Sequence, residues 1–134
     1  MKIARVLLVE DNLADVELVR EALDAAKLAH VLQIARDFEE AKHHIESITA
    51  GAPSPDVVLM DLNLTQGTGL ELLRLFQANP SLQMIPVIVV SSSNAPHDRS
   101  QAARLGAAHY FRKPTDLTEF MELGPIVVKS LANA

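Results

Sequence analysis

Two stretches of the chain are apolar without alternation: "DVVLM" (56–60) and "PVIVV" (86–90). A strand of that composition must be covered on both faces, and sheets covered on both faces are built mainly from parallel strands. Three further β-branched or aromatic runs, "RVLLV" (5–9), "HVLQIA" (30–35) and "AAHYF" (107–111), complete a set of five. Longer segments with helical spacing lie between them. Val16, Val19, Leu23 and Ala26 follow a three-to-four residue period, as do Leu70, Leu73 and Phe76. Five repeats of strand then helix predict an α/β domain, a doubly wound five-stranded parallel sheet. Right-handed crossovers leave few topologies, and the order 2-1-3-4-5 is the expected one.

Turn and cap residues fall where this alternation needs them. Gly106 is placed to end a fourth helix ahead of the fifth strand. "TAGAPSP" (49–55) reads as a loop before the third strand. "DLTE" (116–119) has capping-box spacing at the start of the last helix. One pair breaks the pattern. Gly124-Pro125 falls inside that last helix, where Pro125 cannot donate to the carbonyl of Met121 and Gly124 adds backbone entropy. A kink or break is expected there, as an irregularity near the chain end.

Composition narrows the function. The 134 residues fit one domain, expected to be residues 1–134 as a unit. Cysteine is absent, which excludes thiol catalysis and a disulfide framework. Twelve basic and 17 acidic residues give a net charge of −5 with no basic stripe, which argues against nucleic acid as a partner. The apolar runs are too short to span a bilayer, and the first is too short for a secretion signal. The expected location is cytoplasmic.

Ligands of doubly wound sheets bind beyond the carboxyl ends of the strands. Glu10, Asp11 and Asn12 follow strand one, and Asp61 and Asn63 follow strand three. Ser91, Ser92 and Ser93 follow strand four, and Lys113-Pro114 follows strand five. In the order 2-1-3-4-5, strand one neighbours strand three, so Glu10, Asp11 and Asp61 converge. Three carboxylates that close need a counter-charge, and Mg2+ bound by one or two of them is the usual solution. Lys113 suits one phosphate oxygen and the Ser91 hydroxyl another. These are parts for forming an aspartyl phosphate with a carboxylate as nucleophile. Each part alone has an ordinary explanation: Asp11 or Asn12 as a helix cap, Asp61 as a turn residue, the serines as a loop. Their coincidence at one sheet edge favours the chemical reading.

The stretches "LLVEDN" (7–12), "VVLMDLNL" (57–64), "PVIVVSS" (86–92) and "GAAHYFRKP" (106–114) resemble the receiver domain of bacterial two-component response regulators. The resemblance covers nearly the whole chain and implies the flavodoxin-like receiver fold. It implies Asp61 as phosphoacceptor, Glu10 and Asp11 as an acidic metal pair, and Asn63 as a further metal ligand through its backbone carbonyl. It implies Ser91 and Tyr110 as the conformational switch and Lys113 as the lysine that holds the phosphate. A sensor histidine kinase is then the phosphoryl donor. The output is a protein contact, either with a downstream target or with a phosphotransfer protein. No output domain is expected after the receiver. "VEDNLADVELVREAL" and "FRKPTDLTEF" are similar to the single-domain regulators paired with phytochrome-type kinases, for which a homodimer is a further expectation.

The chain departs from the family pattern at three places. Thr65 stands where a proline is common four residues after the acceptor. Phe38 stands where a glycine is common near the start of helix two. The aromatic ending of the phytochrome-associated subgroup is missing, and Gly124-Pro125 is present instead, which argues against carrying over that subgroup's dimer unchanged.

Three other functions fit the residues less well. A small flavodoxin-like cofactor binder would need a glycine- or hydroxyl-rich phosphate loop after strand one, where the acidic "VEDN" stands instead. A receiver-like binding module that no longer uses phosphorylation is disfavoured because every charged site residue is retained. "DLNLT" (61–65) superficially fits a haloacid-dehalogenase-type phosphatase, but Asn63 cannot act as its second carboxylate. Apart from its own Asp phosphorylation and dephosphorylation, no enzyme activity is expected. Glu40, His43 and His44 share a helix face with metal-compatible spacing but read as a solvated surface.

Overall fold

The computed structural model describes residues 2–133. Five parallel strands form one sheet: β1 (Ala4–Val9), β2 (His30–Ala35), β3 (Val57–Met60), β6 (Val87–Ser91) and β7 (His109–Arg112). Their order is β2-β1-β3-β6-β7, which is the predicted 2-1-3-4-5 topology once a small intervening hairpin is set aside. That hairpin is β4 (Asn63–Leu64) and β5 (Gly67–Thr68), paired antiparallel. The helices are α1 (Leu13–Ala25), α2 (Phe38–Thr49), α3 (Gly69–Ala78), α4 (Pro96–Arg104), α5 (Leu117–Phe120) and α6 (Leu123–Ala132). None of them is long and apolar enough to cross a membrane.

The unalternating apolar runs are explained by two cores, one on each face of the sheet. Leu7, Val9, Val58, Met60, Val87 and Val89 point to one face, where α2 and α3 supply Ala41, Ile45, Leu72, Leu73 and Phe76. Val6, Leu8, Val57, Leu59, Ile88 and Val90 point to the other, against Val19 and Leu23 of α1 and Leu123 and Val127 of α6. Successive residues of one strand thus serve opposite cores, as the period of two requires. Phe111 of β7 meets Phe120 of α5 edge to face at 5.8 Å between ring centres. Helix α4 is the exception among the longer helices, with Ala102 its single buried residue.

Local signals hold with two refinements. Gly106 takes φ +93 just past α4, as a helix-ending glycine does. Asp116 caps α5 by accepting from Thr118 N–H and Glu119 N–H. The expected break near Gly124-Pro125 occurs two residues earlier, at Met121-Glu122, which splits the last helix into α5 and α6. Pro125 therefore sits in the first turn of α6, where its missing N–H costs little. The Met121 carbonyl is satisfied by Gly124 N–H at 3.2 Å. Gly124 is no surface irregularity: it is buried, and a Cβ there would run into the Ala22 carbonyl oxygen of α1 and the methyl of Ala26, which caps that helix.

The stretch after Asp61 is tied down. Gln66 adopts φ +72 to close the β4–β5 turn. Phe38 N–H donates to the Thr65 carbonyl at 3.3 Å, and the Phe38 ring lies against Gly67.

Two substitutions separate these roles of the α5–α6 junction. Gly124→Ala forces α6 away from α1 and is expected to destabilise by roughly 1–3 kcal/mol, the usual range for overpacking against an unyielding wall. Pro125→Ala loses no bond and is expected to change stability by less than about 1 kcal/mol. Urea unfolding midpoints of the two variants check the contrast.

Candidate functional site

The polar residues singled out from the sequence lie at the carboxyl edge of the sheet because each directly ends or follows a central strand. Asp61 N–H completes the β1–β3 ladder by donating to the Val9 carbonyl at 3.0 Å, and Glu10 N–H donates to Ala35 at 2.9 Å. Lys113 N–H donates to the Ser91 carbonyl at 2.8 Å, which fixes the stem of the lysine at the end of β6. The backbone ladder thus sets where these side chains start.

Glu10, Asp61 and Ser91 are the buried polar or charged residues among those described. All three are at this edge. Glu10, Asp11 and Asp61 each bring a carboxylate oxygen within 4.8 Å of the others'. Their counter-charge is the Lys113 ammonium, 2.7 Å from Glu10 Oε1 and 3.1 Å from Asp61 Oδ2. A third carboxylate, Asp15 Oδ2, accepts from the same nitrogen at 2.8 Å. One cation therefore meets three of the four carboxylates gathered here.

The electrostatics follow from burial set against that single cation. Burial pushes the Glu10 carboxyl up from its ordinary 4.5 to about 7, against the opposing pull of Lys113. Burial alone would lower the Lys113 ammonium, but the hydrogen bonds to Asp15 and Glu10 and the charges of Asp61 and Glu10 hold it above its ordinary value. Glu10 is raised even though it makes the shortest contact to the ammonium, because its burial outweighs that pull. Such a donor set, all hard oxygens and short of positive charge, fits a divalent cation of the magnesium or manganese class.

Of the alternative roles for the acidic turn, Asn12 takes the capping one. Its Oδ1 accepts from Asp15 N–H at 3.1 Å to start α1. Asp11 is exposed and is not the cap. Asn63 reaches the site through its backbone, with N–H 3.3 Å from Asp61 Oδ1. Ser91 is fully buried, and its Oγ accepts from Ser93 N–H at 3.2 Å. Tyr110 is half-buried on β7 and its hydroxyl donates to the Ser93 carbonyl at 3.0 Å. The Arg99 guanidinium stacks 4.6 Å from the centre of its ring. His43 stays exposed on α2, and the histidines join no metal-compatible group among the described residues.

Three contacts lie outside what the sequence reading named: Asp15 on Lys113, Ser93 on Tyr110, and Arg99 over Tyr110. Asp15 looks like any acidic residue in a first helical turn, which the helix dipole favours on its own. Only the placement of α1 beside the end of β7 reveals its second role.

Known proteins match on both sequence and shape. A family model for the response regulator receiver domain matches residues 6–123. Response regulator Rcp1 of Synechocystis sp. is 33% identical over 120 residues, spanning 88% of this chain and 82% of that protein. The crystal structure of the phosphorylated cyanobacterial phytochrome response regulator RcpA superposes with a TM-score of 0.89 at 32% identity, over 99% of this chain and 97% of that one. The Mn2+-bound form of Rcp1 gives 0.83 at 32% identity, over 92% and 91%. With the fold shared along its length and the family model spanning the sheet edge from Glu10 to Lys113, the chain belongs to the response regulator receiver domain family.

Proposed function

We propose that this receiver takes a phosphoryl group on Asp61 from a sensor histidine kinase of the phytochrome type, and signals through protein contacts that the modification alters. The observation that carries the reading is the Lys113 ammonium lying 3.1 Å from Asp61 Oδ2 at the head of a carboxylate cluster. An Asp61 oxygen attacks phosphorus and forms the new P–O bond. The P–N bond of a phosphohistidine breaks, its electron pair goes to the imidazole nitrogen, and that nitrogen takes up a proton. Lys113 bonds the transferred oxygens and offsets their charge. Glu10, Asp11, Asp61 and the Asn63 carbonyl are the groups that would hold Mg2+, which supplies neutralisation of charge on the phosphoryl oxygens when bound. Similarity to the Mn2+-bound Rcp1 supports a divalent cation of this class. The phosphatase alternative has no support from the receiver family match.

The modified Asp61 adds charge and acceptor oxygens beside Ser91. The Ser91 hydroxyl then leaves Ser93 N–H for the phosphoryl group, and the loop after β6 follows. Tyr110 is tied to that loop through the Ser93 carbonyl. Its release and inward turn pass the change to α4, which a single buried residue anchors. A downstream target or a phosphotransfer protein reads the altered face.

Three measurements test this reading. Incubation with acetyl phosphate and Mg2+ is expected to add one phosphoryl group by intact mass, and Asp61→Asn to abolish it; an equal adduct on the variant sinks the assignment. The chain has one tyrosine and no tryptophan, so its intrinsic emission reports Tyr110 alone. Phosphorylation is expected to change that emission, and a phosphorylated protein with unaltered emission removes Tyr110 from the switch. The third concerns pH. Below about 7 the Glu10 carboxyl holds a proton that a cation must expel. Mg2+ affinity is therefore expected to fall by up to about tenfold per pH unit below 7 and to level off above it. Glu10→Gln is expected to bind more weakly and to flatten the dependence, as titration calorimetry at several pH values would show.

A further inference from the structure

Every donor of the Lys113 ammonium is occupied. An ammonium carries three N–H groups. Glu10, Asp15 and Asp61 accept them at 2.7, 2.8 and 3.1 Å. Glu10 and Asp61 belong to the trio of carboxylates that converge as a candidate cation site, and Asp15 does not. It arrives from the first turn of α1, 98 positions away in sequence. A helix-capping duty does not explain its side chain. The Asp15 N–H is capped by Asn12, and the Asn12 N–H is taken by Glu10 Oε2 at 3.3 Å. The Asp15 carboxylate is turned across to the lysine.

We propose that Asp15 is a positioning residue for phosphoryl transfer, holding the Lys113 ammonium on Asp61 while the lysine's other two partners change. The proposal rests on Asp61 being the acceptor. On phosphorylation, an oxygen of Asp61 becomes part of the acyl phosphate, and Glu10 is among the groups that would hold the cation. Both contacts that orient Lys113 are then weakened together. The lysine has a flexible four-carbon stem and a point charge, so it needs a fixed acceptor to keep its direction. Asp15 provides one from a helix, a rigid element. The stem is held at its other end by the bond from Lys113 N–H to the Ser91 carbonyl. With one N–H anchored on Asp15, two remain for the phosphoryl oxygens. The same carboxylate also adds negative charge near an incoming anion, and the two effects have opposite signs in the experiment.

The test compares wild type, Asp15→Ala and Asp15→Asn. Phosphorylation by acetyl phosphate is followed by intact mass, with Mg2+ saturating each protein. Asp15→Ala is expected to slow the reaction about tenfold, the scale of a misplaced catalytic group. Asp15→Asn keeps an acceptor oxygen and is expected to react at a rate between the other two, a few-fold below wild type. A second readout needs no transfer: nitrogen-15 relaxation of the Lys113 ammonium, expected to be ordered in wild type, mobile in Asp15→Ala and intermediate in Asp15→Asn. Thermal melting confirms that each variant is folded. If Asp15→Ala fails to fold, Asp15→Asn decides, with a rate a few-fold below wild type expected from a weaker, uncharged hydrogen bond. An unchanged or faster reaction in folded Asp15→Ala overturns the proposal, as does an unchanged order of Lys113. Should wild type accept no phosphoryl group, the proposed function fails, and the relaxation measurement still decides whether Asp15 orients the lysine.

Discussion

A single ammonium makes the carboxyl edge of this sheet possible. The strands are covered on both faces, so groups at their ends are drawn out of water with them. Glu10 and Asp61 are both buried there. An unpaired buried carboxylate costs several kcal/mol. Lys113, itself only 11% exposed, meets both and also Asp15. Its pull on Glu10 does not offset the effect of burial, which lifts that carboxyl from the ordinary acidic range to about 7. The fold tolerates a charge imbalance at its edge, and hard carboxylate oxygens short of positive charge are a donor set that suits a divalent cation.

The rest of the molecule divides into parts that hold and parts that yield. The two cores fix β1, β3 and β6, and the α1–α6 contact is close enough to require Gly124. Helix α4 is held differently. It buries Ala102 alone, and its links to the sheet edge are polar: Ser93 to Asp98, Arg99 to Tyr110. Polar links can be exchanged at small net cost, since a typical hydrogen bond is worth about 0.5–1.5 kcal/mol overall. Segments with few buried apolar contacts open most readily. The thin packing lies on the helix that follows β6, whose last residue is Ser91.

Much of this was readable in the chain because it rests on periodicity and on strand order. The five strands appear within a residue or two of their sequence bounds, and the order brings Glu10, Asp11, Asp61, Ser91 and Lys113 to one edge. What was not readable depends on contacts across elements. The β4–β5 hairpin has two residues per strand, too few for any period to show. The break in the last helix is marked by Pro125, but its place is set by where α6 can reach α1, so the proline ends up inside a first turn. Asp15 carries no local signal beyond its helix position. Its partner is identified only by the path of α1 past the end of β7.

Phe38 and Gly67 illustrate a constraint of another kind. The ring of one occupies the space a side chain on the other would need. Neither position can be altered freely while its counterpart stays as it is. A glycine at 38 would open a hole beneath the hairpin, and any side chain at 67 would evict the ring. Along a lineage, these two sites are expected to change as a pair or not at all. The intervening sequence separates them only on paper: the unusual residue in one motif is the reason for the ordinary residue in the other.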